Sequence, residues 1–317
     1  MKILQIIVVI LILYALPIIA QSTGTTSFEF LKIQYSARGA ALAGNLVAIK
    51  GDINSFFYNP ATLSSIDSRQ WTINYVDHLI DFQGGNLAYI TQAGSLGNLG
   101  LGLIYFNYGD FDETDEFGEK TGRTFGASEF AAAVSLSNML GANFDYGVNL
   151  KFIYSSLESF NASALAVDAG IVYTIPNVNN LVFGLSLANL GFTIDNYTPE
   201  TDETLPLYLQ FGVTKRLAHL PLIVAGSFND MTLDTGDFWD LFRRFSLAGE
   251  FDVSKVIKLR LGYDNEVNRD VKPLGGRSFA GVTAGVGIEW NKFRLDYSYS
   301  SYSDLGSQNR LAITGRL

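Results

Sequence analysis

Ala280-Gly281-Val282-Thr283-Ala284-Gly285-Val286-Gly287-Ile288-Glu289-Trp290 alternates one residue at a time. After Asn291-Lys292, Phe293-Arg294-Leu295-Asp296-Tyr297-Ser298-Tyr299-Ser300 does the same. Val282, Ala284, Val286, Ile288 and Trp290 fall on one face; Thr283, Gly285, Gly287 and Glu289 fall on the other. A period of two marks a β-strand whose two faces meet different surroundings. Two such runs joined by two residues read as an antiparallel hairpin. One face is apolar with aromatics towards its ends, and the other is small, polar or charged.

The pattern extends outward from this hairpin. Ile257, Leu259, Leu261 and Tyr263 oppose Lys258, Arg260, Gly262 and Asp264, and Leu181, Phe183, Leu185 and Leu187 oppose Val182, Gly184, Ser186 and Ala188. From Trp71 onward it predicts strands near 70–77, 84–92, 98–109, 127–137, 144–157, 163–174, 181–191, 206–217, 220–228, 243–253, 256–265, 278–290, 293–302 and 308–317. Most have the roughly 9–11 residues of a tilted strand that crosses a bilayer. Gly94 to Gly97, Leu140 to Asn143, Pro176 to Asn180, Ala218-His219, Ser254-Lys255 and Asn291-Lys292 are short connections. Asp110 to Arg123, Thr193 to Leu205, Asn229 to Asp240 and Asn265 to Arg277 read as long polar loops on the opposite side. Short turns on one side and long loops on the other is the outer-membrane pattern, with the short side periplasmic. The expectation is an all-β fold: a transmembrane antiparallel β-barrel of about fourteen strands. A soluble β-sandwich also alternates, but it would bury every apolar face in a dry core and leave the Gly- and Ser-rich faces to water.

Composition agrees. Hydrophobic residues make up 48% of the 317 and charged residues only 17%, below the roughly 25% usual in soluble proteins. Tyr, Phe and Gly number 16, 23 and 31, which suits strands, tight turns and interfacial girdles. The net charge of −9 lacks the basic footprint of a nucleic-acid binder. The absence of Cys removes disulfides, thiolate metal sites and a Cys nucleophile. Two histidines, His78 and His219, are too few for a His-rich metal site, and they fall in connections on opposite sides of the strands. No Ser/His or Asp/His constellation is legible, so the reading is a non-enzyme without a cofactor.

Lys2, the uncharged run Ile3 to Leu16, Pro17 and Ile18-Ile19-Ala20 read as a signal peptide over 1–20, cleaved after Ala20. The location that follows is the outer membrane of a Gram-negative-type bacterium, with lipid and lipopolysaccharide as surroundings. The final strand ends at Leu317, where many outer-membrane proteins end on an aromatic.

Residues 21–68 break the alternation. They hold Ser36-Ala37-Arg38-Gly39-Ala40-Ala41-Leu42-Ala43-Gly44 and Asp52-Ile53-Asn54-Ser55-Phe56-Phe57-Tyr58-Asn59-Pro60-Ala61. Ser36 can cap a short Ala-rich helix. A barrel of about fourteen strands has a lumen too wide for wall side chains alone to fill. This segment is therefore expected to be a plug, with Ser36, Ala37, Arg38, Gly39, Asn59, Pro60 and Ala61 as its motif and the barrel over 69–317. Lys151, Arg244, Glu250, Lys258, Arg260, Arg294, Asp296 and Arg316 are read as lumen-facing charges, paired among strands and to the plug, because facing lipid is costly. The acidic run Asp110, Asp112, Glu113, Asp115, Glu116, Glu119 lacks EF-hand spacing and reads as a solvated loop.

The Ser36–Gly44 stretch followed by Tyr58-Asn59-Pro60-Ala61 resembles the N-terminal hatch of FadL-like barrels and, within that group, the PorV/PorQ family. Phe28-Glu29-Phe30-Leu31, Tyr105-Phe106-Asn107-Tyr108-Gly109-Asp110-Phe111 and Asn149-Leu150-Lys151-Phe152-Ile153-Tyr154-Ser155 are most similar to the PorQ branch. So is Gly212-Val213-Thr214-Lys215-Arg216-Leu217-Ala218-His219. The resemblance implies a fourteen-stranded, plugged barrel serving a type IX secretion system, in which PorV-type members carry cargo to a surface signal peptidase and PorQ-type members anchor a surface partner. On this reading the partner is a surface-exposed protein of a secretion complex. Phe111, Asp112, Asp115, Phe117, Phe238 and Trp239 are the candidate partner-binding loop residues, since aromatics are enriched at binding hot spots. The alternative is a FadL-like channel for hydrophobic small molecules.

Overall fold

Fourteen strands form where the alternation places them in this computed structural model, which describes residues 21–22, 26–176, 178, 181–234, 237–273 and 278–317. The leader expected over 1–20 lies outside the described residues. The strands are β1 Gln70–Asp77, β2 Gln83–Gln92, β3 Asn98–Thr114, β4 Lys120–Leu140, β5 Phe144–Leu157, β6 Phe160–Thr174 and β7 Leu181–Asp195. They continue as β8 Tyr208–Arg216, β9 Leu222–Phe228, β10 Phe245–Asp252, β11 Ile257–Asp264, β12 Val282–Trp290, β13 Phe293–Ser301 and β14 Ser307–Arg316. Each pairs antiparallel with its chain neighbour, and β14 pairs with β1 through Leu311↔Tyr75 and Gly315↔Trp71. The barrel therefore closes with no edge strand and every ladder satisfied from within, the condition for crossing lipid with strands.

The wall is inside out relative to a soluble domain. Leu261 is 66% exposed, while its neighbour Arg260 is 1% exposed. Leu101, Leu103, Leu259, Leu295, Tyr297 and Leu311 likewise face outward. A sandwich would have buried these faces.

Three local features depart from the sequence expectation. Asp110 to Arg123 is not a loop: β3 and β4 run on as a projecting hairpin and turn over residues 115–119. Cross-strand contacts extend the ladder there, with Phe111 stacked on Phe125, Lys120 paired to Asp112 and Thr121 bonded to Glu113. In β7 the alternation changes parity at Ala188-Asn189, where two residues oppose Asp168 alone. This bulge sets Asn189 at φ 63 and turns its side chain into the lumen. The loop after β11 holds a short helix, α2 Asn265–Val271, capped by Asp264; residues 274–277 of that loop lie outside the described residues.

Residues 26–66 occupy the lumen. The segment starts at the long-loop end, where the Ser27 amide donates to the Thr204 carbonyl (2.8 Å). Helix α1, Ala37–Ala41, follows, with Ser36 as its cap and the Ser36 hydroxyl accepting from the Gly39 amide (3.1 Å). Two 3-10 turns, Ile53–Ser55 and Pro60–Ser65, are capped by Asp52 and Asn59. Pro60 takes the first helical position, where its missing N–H costs nothing. The chain then leaves at the short-turn end to begin β1.

Glycine in the wall lets the plug backbone approach. A Cβ on Gly147 of β5 would stand 2.4 Å from the Pro60 carbonyl carbon, and one on Gly170 of β6 would stand 1.9 Å from Asn59 Oδ1. Neither neighbour can move without breaking the Asn59 cap. Gly170→Val is therefore expected to leave the barrel folded but undock Asn59-Pro60. Limited proteolysis should cut the 50–66 segment in the variant and spare it in the parent; equal protection in both would refute the close-approach argument.

Candidate functional site

The plug meets the wall through a closed ring of charges. The Arg38 guanidinium donates to both Glu250 oxygens, Nε at 2.8 Å and Nη2 at 2.7 Å. Arg260 Nε donates (2.6 Å) to Glu250 Oε2, the oxygen that also accepts from Arg38 Nε, and its Nη1 donates to Asp296 (2.7 Å). Arg294 Nε donates to Asp296 (2.7 Å) and its Nη2 to Asp52 (3.0 Å). Asp52 closes the ring by accepting from Arg38. Three guanidinium groups and three carboxylates thus alternate, two from the plug and four from β10, β11 and β13. Burial alone would raise the Asp52 pKa, but Arg294 and Arg38 outweigh it and hold the carboxyl well below the usual range.

The plug motif residues Ser36, Ala37, Arg38, Gly39, Asn59, Pro60 and Ala61 are all buried together in the lumen. Of the charges expected there, Glu250, Arg260, Arg294 and Asp296 form the ring. Lys151 pairs with Asp168 (2.5 Å) and also bonds Asn189 Oδ1. Lys258 pairs with Asp252 (2.7 Å) and lies 3.7 Å from Glu289. Arg316 stands exposed at the short-turn mouth. Arg244 corrects the expectation: β10 begins only at Phe245, so Arg244 belongs to the loop cap rather than the wall. There it pairs with Asp240 (3.2 Å), donates to the Asp230 carbonyl (2.9 Å) and lies 3.7 Å from Glu266. Burial, followed by the nearby Asp230 and Asp264, pushes the Glu266 carboxyl up to about 7.

Sequence reasoning passed over Asp52, Asp145 and Asp168. A signal existed for the first: residues 33–66 carry only Arg38, Lys50 and Asp52 as charges. Charges that sparse in an otherwise apolar buried segment need partners. Lys50 finds Asp145 of β5 (2.5 Å).

Between plug and wall lies a cavity of about 60 Å³ lined by Ile33, Tyr35, Phe57, Asn86, Ile104 and Lys151, among others. On the lipid side of the same wall, a recess over Gly84-Gly85 shares Asn86 and Ile104 with it.

The loop candidates separate. Phe111 is part of the hairpin ladder, Asp112 pairs with Lys120 (2.5 Å), and Asp115 accepts from the Phe117 and Glu119 amides to form the turn. Phe117 at the tip is 81% exposed. Trp239, 68% exposed, lies 5.9 Å from the Phe242 ring on the 3-10 turn Phe238–Arg243; the Phe238 side chain lies outside the described residues. Among the described residues no group of three or more His, Asp or Glu is placed to hold a metal, the acidic hairpin included. His78 and His219 stand at opposite ends of the barrel.

Residues 18–201, more than half of the chain, match a family model described as the type IX secretion system protein PorV. No curated protein sequence matches. Among solved structures, the Ralstonia pickettii toluene transporter TbuX is similar at 12% identity and TM-score 0.60, over 88% of this chain and 97% of that one. The Pseudomonas putida toluene transporter TodX is 14% identical at TM-score 0.58, over 92% and 98%. A Pseudomonas aeruginosa FadL homologue is 13% identical at TM-score 0.56, over 89% and 98%. At these identities the likeness is one of fold: a closed fourteen-stranded barrel.

The ring makes a stability prediction. Arg38→Ala leaves Glu250 and Asp52 buried without a plug cation, which is expected to cost about 3–5 kcal/mol. Arg38→Met with Glu250→Leu should recover much of that loss. Because the Asp52 pKa is depressed by folding, its contribution is full above the unfolded value of about 3.9 and is lost only as pH falls below it. Thermal unfolding in detergent at pH 7, 5 and 3 checks both statements. An Arg38→Ala barrel as stable as the parent would show that the ring does not hold the plug.

Proposed function

This chain belongs to the family of the type IX secretion system protein PorV, and on that premise we propose that it is a non-enzymatic outer-membrane anchor in a type IX-like secretion or surface-attachment complex. The short turns face the periplasm and the longer connections face outward. The observation that supports the reading best is the filled lumen. With the plug bound by main-chain contacts, by the ring and by Lys50–Asp145, the outer connections offer a preformed surface for recognition. That surface displays Phe117, Trp239 and Phe279, each more than two-thirds exposed. Exposed large aromatics beside charged loops suit a protein partner.

A second reading is a FadL-like channel, with toluene-like compounds suggested by what its structural neighbours transport. It is favoured by one feature, the cavity that shares Asn86 and Ile104 with the lipid-facing recess. A deletion strain that takes up toluene and long-chain fatty acids normally would exclude it.

A photocrosslinking residue at Phe117 or at Trp239, in cells with their native envelope, is expected to capture a surface protein. Phe117→Ala with Trp239→Ala should weaken retention of that partner more than tenfold, the effect of losing about 2 kcal/mol at a hot spot. Recovery of insertion machinery and lipopolysaccharide alone would refute the anchor reading. The leader is proposed to be cleaved after Ala20, so the intact mass of the purified barrel should correspond to a chain beginning at Gln21; retention of residues 1–20 would overturn that.

A further inference from the structure

We propose that the periplasmic mouth of the barrel is a receptor for an acidic peptide segment of a periplasmic protein. The inference rests on the barrel's orientation and goes beyond the outer-surface role. At the short-turn end the wall and plug enclose an open funnel of about 310 Å³. Arg38, Lys50, Arg216, Lys258, Arg294 and Arg316 all line it. Arg38 and Arg294 are held in the ring, and Lys50 is neutralised by Asp145. Three cations remain. Arg216 and Lys258 share the single carboxylate of Asp252, at 2.9 and 2.7 Å, with Glu289 3.7 Å from Lys258. Arg316 has no carboxylate within 4.0 Å among the described residues. Three cations against the two carboxylates of Asp252 and Glu289 leave the funnel with one positive charge in excess.

Position turns that excess into a binding surface. Arg216, Lys258 and Arg316 come from β8, β11 and β14, so they converge across the mouth rather than lining one strand. Arg316 follows the inward-facing Ala312 and Thr314 at the spacing of two and lines the funnel rather than the lipid face. The rim adds exposed Arg69, Lys215, Lys255 and Lys292 against Asp67. A concave basic surface with low-dielectric walls focuses its field towards an approaching anion. Guanidinium groups spread over the mouth suit several carboxylates on an extended chain, since each can accept two parallel hydrogen bonds from an arginine. The hairpin at the opposite end carries Asp110, Asp112, Glu113, Asp115, Glu116 and Glu119, so an acidic chain is not drawn there.

The test is fluorescence anisotropy of a labelled poly-glutamate peptide against the full barrel in nanodiscs. Binding is expected at low salt, weakening as salt rises, with no binding of a poly-glutamine peptide of equal length. Arg216→Gln with Arg316→Gln should weaken binding about tenfold or more, and Arg216→Lys with Arg316→Lys should restore part of it. Thermal unfolding of each variant separates a binding loss from a folding loss, and intact crosslinking at Phe117 shows that the outer surface is unaffected. The proposal is overturned by equal binding of the neutral peptide or by unchanged affinity in the folded double variant. It is also overturned if inorganic phosphate or phosphatidylglycerol vesicles displace the peptide at lower concentrations than the peptide itself requires, because the mouth would then be a phosphate site.

Discussion

Backbone polar groups enclosed in a transmembrane barrel have no bulk water to turn to, and the interior of this molecule is arranged around that constraint. The plug is irregular, so much of its main chain cannot bond to itself. The wall supplies the missing donors. Asn98 of β3 donates to the Leu63 and Ile66 carbonyls (both 2.8 Å), Asn149 of β5 to Phe56 (3.0 Å), and Gln210 of β8 to Gly44 (3.3 Å). Thr283 of β12 donates to Ala41 (3.1 Å), and Arg310 of β14 to Gln34. Polar residues alternate inward on these strands because a main chain is waiting for them, and glycine alternates inward where that main chain comes too close for a Cβ. The wall's inner face is a complement of the plug rather than the lining of a pore.

Charge follows the same logic at higher stakes. An isolated buried ion pair often gains little over apolar packing, because desolvation offsets attraction. A closed ring changes the balance: each carboxylate faces two guanidinium groups, each guanidinium faces two carboxylates, and the whole is neutral. It also sets geometry. Arg38 and Asp52 lie on separate turns of the plug, so one ring fixes two points of the segment against β10, β11 and β13, while Lys50 fixes a third against β5. Loss of one member takes one of two partners from each neighbour, whose side chains are no more than 12% exposed, so the ring's members depend on one another for stability.

The strand count, the sense of each face and the plug's lumenal position were legible because period two persists over the whole chain after Trp71, and because Gln21 to Ser68 visibly interrupts it. Ser36 was readable as local chemistry, a cap for a short helix. What could not be read was pairing at a distance. Arg38 meets Glu250 across 212 positions of sequence, and nothing local to either residue names the other. The hairpin at Asp110 to Arg123 was misread for the opposite reason: its acidic residues suggest a solvated loop, whereas its stability comes from cross-strand partners such as Phe111 and Phe125. Arg244 was misplaced by a strand boundary shifted by two residues, enough to move it from the wall into the loop cap. The bulge at Asn189 was hidden because a one-residue insertion leaves each half of β7 alternating normally.

The filled interior also bears on how the two functional readings compare. Passage along the barrel axis would require the plug to leave, breaking the ring, the Lys50–Asp145 pair and at least five side-chain bonds to plug carbonyls in a single step. With about 3–5 kcal/mol attached to one buried partner alone, the sum lies far outside thermal fluctuation. A solute would have to pass around the plug, through the cavity of about 60 Å³ and the part of the wall at Asn86 and Ile104. Recognition at the two ends of the barrel needs no such rearrangement. A rigid plug then serves the anchor reading directly, because it fixes the outer loops and the basic mouth as two separate, preformed surfaces on one stiff body.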